Sequence, residues 1–253
     1  MRRILLTVSY DGTAYSGFQA QKDESVPTIA GVVTERLREL TGEEITLIGG
    51  SRTDAGVHAL CNKTAFDTQS RIPADKFAFA MNTRLPEDIR VQKSEEVPED
   101  FHPLRVPSRK TYEYRIFIGT HPIPQKRLYS AYVRYRLDKE RMREGAAFLV
   151  GEHDFKSFCS IYTQAKSTVR TVYGIEIDSS AVPYSEGEEV IIRVTGGGFL
   201  YNMVRIIAGT LIDVGRGKTE PGEIPSILES LDRQKAGPTA PACGLTLVRY
   251  EFV

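Results

Sequence analysis

The densest chemistry in the chain lies in one stretch, Gly49-Gly50-Ser51-Arg52-Thr53-Asp54-Ala55-Gly56-Val57-His58-Ala59. It sets a carboxylate, a guanidinium, two hydroxyls and three glycines between two apolar segments. Glycine adopts backbone shapes that other residues resist, so such a loop can hold Asp54 and Arg52 at a fixed spot with its backbone close to a ligand. Asp54 suits a nucleophile or base, because a neighbouring guanidinium keeps a carboxylate ionised. An Asp capping a turn, with Arg52 as its surface partner, accounts for the same residues. Arg52 suits three tasks: pairing with Asp54, contacting phosphate, or filling the space left by a displaced base.

Four other places bear on the same question. Tyr112 sits in Arg109-Lys110-Thr111-Tyr112-Glu113-Tyr114-Arg115. Cations interleaved with rings suit nucleic acid, since cations meet phosphates and rings stack on bases; a core tyrosine facing a helix is the competing reading. Arg205 stands inside the apolar run Phe199-Leu200-Tyr201-Asn202-Met203-Val204-Arg205-Ile206-Ile207. A guanidinium there either snorkels to solvent or pairs with a buried acid, for which Asp54 is the attractive candidate. Thr195-Gly196-Gly197-Gly198 just before it reads as an anion-binding turn or as tight strand–helix packing. Leu245 follows a rigid Pro/Gly turn into the last strand, as a pocket wall or as plain core.

Composition narrows the classes. The 253 residues allow one large domain or two of ordinary size. Hydrophobic residues at 41% and charged residues at 26% describe a globular protein. Lys plus Arg and Asp plus Glu both number 33, and a zero net charge speaks mildly against nucleic acid. The distribution speaks for it: residues 101–143 hold eleven Lys/Arg against Glu113, Asp138 and Glu140. Three scattered cysteines without CxxC, and four histidines without HxxH or HExxH, point to reduced thiols and no metal site. No GxGxxG or GxxxxGK[ST] loop occurs. The apolar run after Met1-Arg2-Arg3 is too short for a signal core, and no segment approaches the ~20 residues of a membrane span. A cytoplasmic protein without membrane contact is expected.

The elements that must position these residues repeat. Periodicity predicts strands at 4–10, 45–48, 59–67 and 89–97, with helices at 28–41 and 74–83. The second half follows with strands at 111–118, 168–177, 190–195 and 245–252, and helices at 137–150 and 199–214. Each half reads β-α-β-β-α-β, the ferredoxin-like order, so the expected class is α+β. The boundary near 102–110 gives halves 1–107 and 108–253, the first with the Asp loop and the second with Tyr112 and Arg205.

Residues 50–59, and within them the run Arg52-Thr53-Asp54-Ala55-Gly56-Val57-His58-Ala59, resemble the signature loop of the tRNA pseudouridine synthase I family, which modifies uridines 38 to 40 of the tRNA anticodon stem-loop. Tyr10-Asp11-Gly12-Thr13-Ala14-Tyr15-Ser16-Gly17-Phe18-Gln19-Ala20-Gln21 resembles its first motif, Lys110-Thr111-Tyr112-Glu113-Tyr114 its tyrosine strand, residues 198–218 its arginine helix and residues 240–245 its closing motif. Phe101-His102-Pro103-Leu104-Arg105 departs from a shorter Phe-His-Ala-Arg. The resemblance implies two ferredoxin-like halves with antiparallel sheets flanking a central catalytic cleft, a homodimer, tRNA as substrate and no cofactor. It implies Asp54 as the catalytic carboxylate, Arg205 as its partner, Arg52 as the residue that helps displace the base, Tyr112 as the ring against the uracil and Leu245 as a pocket wall. The residues by themselves also admit a non-catalytic RNA binder and a base-removing N-glycoside hydrolase, although a glycosidase typically uses two carboxylates and only Asp54 stands out.

Overall fold

The computed structural model describes residues 1–19, 26–183 and 185–253, and among them places nine strands and five α-helices. Ala20 and Gln21, the end of the first motif, lie outside the described residues. The chain groups into two compact units, Met1–Ser108 with Leu247–Val253, and Arg109–Thr246.

In the first unit, β1 (Arg2–Tyr10) is a near-continuous apolar run because it is covered on both faces. It pairs antiparallel with β2 (His58–Thr68) on one side and β3 (Ile89–Val97) on the other. With β9 (Leu245–Phe252) the order is β3-β1-β2-β9. The helix α1 (Ile29–Thr41) follows from Ile29, Val33 and Leu37 at helical spacing, all buried. Its first turn is capped by Thr28, whose hydroxyl accepts from the Gly31 N–H, and Gly42 in the left-handed region ends it. Ala74–Lys76 forms a short 3₁₀ turn that leads into α2 (Phe77–Asn82), where Phe77 meets Phe66 edge-on at 5.3 Å.

Residues 45–48, expected as a strand, make only one bridge, in which Ile48 and Ala65 exchange backbone hydrogen bonds. The Thr64 hydroxyl also donates to the Ile48 carbonyl, and the chain then turns sharply onto β2. A Cβ on Gly50 would lie 1.4 Å from the Lys63 carbonyl oxygen. A backbone that crosses β2 so closely cannot continue alongside it as a ladder.

In the second unit, β4 (Ser108–Ile118) buries the expected Tyr112, Tyr114, Ile116 and Ile118, and Glu113 and Phe117 between them are buried as well, so the strand is covered on both faces. It pairs with β8 (Glu188–Gly196), β8 with β7 (Val169–Ala181) and β7 with β6 (Gly151–Asp154), all antiparallel. The three-residue β5 (Ala131–Val133) lies parallel to β4. The helix α3 (Lys139–Ala147) is capped by Asp138. The apolar α4 (Met203–Gly215) is buried along almost its whole length, and α5 (Ile224–Ser230) follows it.

The helix expected over 199–214 starts at Met203 instead. Asn202 adopts the left-handed region at φ 62°, a conformation that asparagine tolerates better than most residues, and this sets the helix start. Three elements were not expected from the sequence: β5, β6 and α5.

Candidate active site

The loop around Asp54 belongs to the first unit, and its backbone is fixed from beneath. Asn62, fully buried on β2, accepts from the Ser51 N–H at 2.9 Å and donates to the Ser51 carbonyl at 2.8 Å. Its amide also donates to the Tyr10 hydroxyl at 3.0 Å, and that hydroxyl meets Thr53 Oγ1 at 2.7 Å. Ser51 and Thr53 therefore face inward, while Arg52 between them is exposed and Asp54 after them is half-buried. Alternation of this kind is what an extended backbone gives.

The first motif clamps the same loop from a second direction. The Phe18 N–H donates to the Thr53 carbonyl and the Gly56 N–H to the Tyr15 carbonyl. Gly17 has φ 90°, and a Cβ there would stand 2.6 Å from the Thr53 oxygen, so both backbone shape and space require glycine. The Gly12 N–H donates to Nδ1 of the buried His58 at 3.1 Å. Tyr15 donates to Asp88 at 2.7 Å, and the Asp88 carbonyl accepts from the Asp11 N–H, which anchors the motif at the head of β3. Burial pushes the Tyr10 hydroxyl well above the usual phenol range, partly offset by its bonds to Thr53 and Asn62, so it stays a proton-bearing group at neutral pH.

The second unit places the other expected site residues. Tyr112 is buried, and its ring meets Phe199 edge-on at 5.3 Å and 90°. Arg205, half-buried on α4, donates from Nε to the Ala240 carbonyl at 2.8 Å and from Nη1 to Asn202 Oδ1 at 2.8 Å. The Ala240 N–H returns a bond to the Arg205 carbonyl at 3.1 Å. Leu245 opens β9 in a buried position. The Tyr114 hydroxyl donates to the Pro241 carbonyl at 2.9 Å. The unit thus ties the closing segment 240–245 to both β4 and α4, and brings it against Arg205.

Three open readings narrow here. Arg52 makes no ion pair with Asp54, and its side chain has no partner among the described residues. The glycines at 196–198 do not open the helix, because residues 199–202 intervene before α4; a Cβ on Gly196 would stand 2.9 Å from the Thr171 carbonyl, which fits tight packing. The basic stretch 101–143 is partly spent in ion pairs: Arg115, Lys126, Lys139, Arg141 and Arg143 each pair with an acid. Arg134 and Arg136 stay exposed, and Arg109 lies over the Tyr173 ring at 5.1 Å. Lys110 is buried, and desolvation brings its amine down to about 8.

The sequence reading missed Tyr10, Asn62, Tyr15 and Asp88 as supports of the site. Tyr10 and Tyr15 fell inside the first motif, but Asn62 and Asp88 carry no local signal. In the departing stretch, His102 closes a turn by accepting at its carbonyl from the Arg105 and Val106 N–H groups, and the Pro103 carbonyl accepts from Tyr250.

Among the described residues, no helix is long and apolar enough to cross a membrane. Residues 6–104 and 146–253 match the family described as tRNA pseudouridine synthase. The tRNA pseudouridine synthase A of Caldicellulosiruptor bescii is 48% identical over 248 residues, 98% of each chain. That of Ruminiclostridium cellulolyticum is 48% identical over 252 residues and 100% of each chain, and that of Brevibacillus brevis 46% over 249 residues and 98% of each.

Proposed function

Because the chain belongs to the tRNA pseudouridine synthase family, a family of isomerases, we propose that it converts uridine to pseudouridine at positions 38, 39 and 40 of the tRNA anticodon stem-loop. The bond from uracil N1 to the ribose carbon breaks, the base turns, C5 bonds to that same carbon and gives up its proton, and N1 ends with one, so substrate and product are isomers. Nothing is oxidised and no water enters the product, so the reaction runs without a cofactor. Asp54 acts at the sugar–base bond as nucleophile or base. Arg205 is the partner that orients this carboxylate, Tyr112 the ring that packs on the uracil, and Leu245 a wall for it. The uridine must leave its stack at a cost of a few kcal/mol, which Arg52 offsets by taking the vacated space; its exposed side chain suits that task.

One observation carries the reading. Asp54 stands half-buried on a loop whose backbone is pinned at Ser51 by the Asn62 side chain and whose Thr53 hydroxyl is held by Tyr10. Such anchoring suits a reacting group better than a surface turn. Each unit is read as a ferredoxin-like half. In the first, the order β3-β1-β2 supports this if residues 45–48, bridged to β2 at Ala65, are the remnant of a fourth strand. The working form is read as a cytoplasmic homodimer.

The test is incubation with unmodified tRNA and mapping of pseudouridine by position. Product at 38–40 from the native protein, and tRNA binding without product from Asp54→Asn, are expected. Product from Asp54→Asn at the native rate, or release of free uracil, refutes the proposal.

A further inference from the structure

We infer that Tyr10 and Asn62 are positioning residues for the reaction: together they set the backbone that carries Arg52 and Asp54. The inference rests on the reading of Asp54 as the reacting carboxylate. Asn62 uses its whole hydrogen-bonding capacity. Oδ1 accepts from the N–H groups of Ser51 and Lys63, each at 2.9 Å, and Nδ2 donates to the Ser51 carbonyl and the Tyr10 hydroxyl. Nδ2 donates into the phenol oxygen, and the Tyr10 and Thr53 hydroxyls meet at 2.7 Å, where either can be the donor. The path therefore runs from Ser51 through Asn62 and Tyr10 to Thr53, and both its ends are residues of the Asp54 loop. Asn62 is fully buried, and Tyr10, Ser51 and Thr53 are each at most 7% exposed.

Burial gives this arrangement its force. In a site shut off from water, a polar group that loses its partner finds no replacement, so the loop has one well-defined position. Each end of the path sits one residue before a proposed site residue: Ser51 before Arg52 and Thr53 before Asp54. A change at either end moves those side chains without touching them. The network joins the loop to β1 and β2, the two central strands of the unit, so it transmits their rigidity to Asp54.

The test measures single-turnover conversion of unmodified tRNA at saturating enzyme, with the dissociation constant for tRNA measured separately. Tyr10→Phe removes one oxygen, and Asn62→Ala removes the hub. Conversion is expected to fall ~10-fold in Tyr10→Phe and ~100-fold in Asn62→Ala, with tRNA affinity unchanged within ~2-fold, the scale of loss for a displacement near 1 Å. Because the two act as one unit, the double variant is expected to lose ~100-fold rather than the ~1000-fold product of the single losses. A native rate in Tyr10→Phe, a loss that appears only in affinity, or multiplicative losses in the double variant overturn the inference. Should Asn62→Ala fail to fold, Tyr10→Phe decides by its rate and affinity. Asp54→Asn, run alongside, separates the two claims: an active Asp54→Asn sinks the reading of Asp54, whereas an inactive Asp54→Asn with a fully active Tyr10→Phe sinks the positioning role alone.

Discussion

Two helix glycines in the second unit should respond to alanine with opposite signs. Gly209 lies within α4 and Gly145 within α3. Helix propensity alone favours alanine by ~1 kcal/mol at both. Space decides otherwise at one of them. A Cβ on Gly209 would stand 1.9 Å from the Pro238 carbonyl oxygen, against 3.4 Å for ordinary contact, so that backbone must retreat by about 1.5 Å. The segment it would displace is anchored by Gly237 N–H to Thr210 Oγ1 at 2.9 Å, by the paired bonds between Ala240 and Arg205, and by Arg233 onto the Gly237 carbonyl. Overpacking costs ~1–3 kcal/mol and the disturbed bonds ~1 kcal/mol each, which outweighs the propensity gain. Gly209→Ala is therefore expected to be destabilising by ~1–3 kcal/mol, a melting point lower by roughly 2–12 °C. A Cβ on Gly145 meets Ile224, Val214 and Leu211 at 3.6–3.7 Å, which is ordinary contact. Gly145→Ala should stabilise by ~1 kcal/mol. Urea unfolding followed by circular dichroism reads both within the same unit. Stabilisation by Gly209→Ala, or shifts of the same sign for the two, would refute the steric argument. Gly209→Ala should also slow conversion of tRNA, because the carbonyl that holds Arg205 belongs to the displaced segment.

Two further outcomes are expected. Burial depresses the Lys110 amine to about 8 from 10.5, so below pH 8 the folded state bears the full cost of a buried charge, and that cost fades as pH rises toward 10.5. The stability of the native protein relative to Lys110→Met should therefore increase between pH 8 and 9.5; a flat difference in urea midpoints counts against it. Affinity for tRNA should fall steeply with salt, and reversing the exposed Arg134 and Arg136 to Glu should flatten that slope, whereas Lys126→Ala, which breaks only the pair with Glu189, should leave it nearly unchanged. Equal slopes for all three proteins in a salt titration would argue that these arginines do not meet phosphate.

What was legible in the sequence is what neighbours in sequence decide. Residues 89–97 read as a strand and form β3 with those bounds, and Thr28 begins α1 because its cap and its apolar face are local. The chemical content of the Asp54 loop was equally plain. Its scaffold was not, because Tyr10 and Asn62 stand 52 positions apart and meet only once β1 pairs with β2. Gly151-Glu152-His153-Asp154 becomes β6 with no apolar alternation, since pairing with β7 makes it a strand. Residues 45–48 show the converse: an apolar run with strand character is denied a ladder by the close approach of Gly50 to β2.

The division of the chain also dictates an order of assembly. The first unit comprises Met1–Ser108 and Leu247–Val253, so during synthesis its strand β9 emerges only after the second unit has been made. At 5–20 residues per second, β2 waits for roughly ten to thirty seconds with one edge unmatched. An open edge is a template for pairing with another chain. Vectorial synthesis therefore gives the second unit the opportunity to fold first as one uninterrupted segment, while the unit that carries Asp54 is completed last. The final anchors of that unit, Tyr250 to the Pro103 carbonyl and the Val253 N–H to the Pro107 carbonyl, close a circuit between stretches separated by well over a hundred residues.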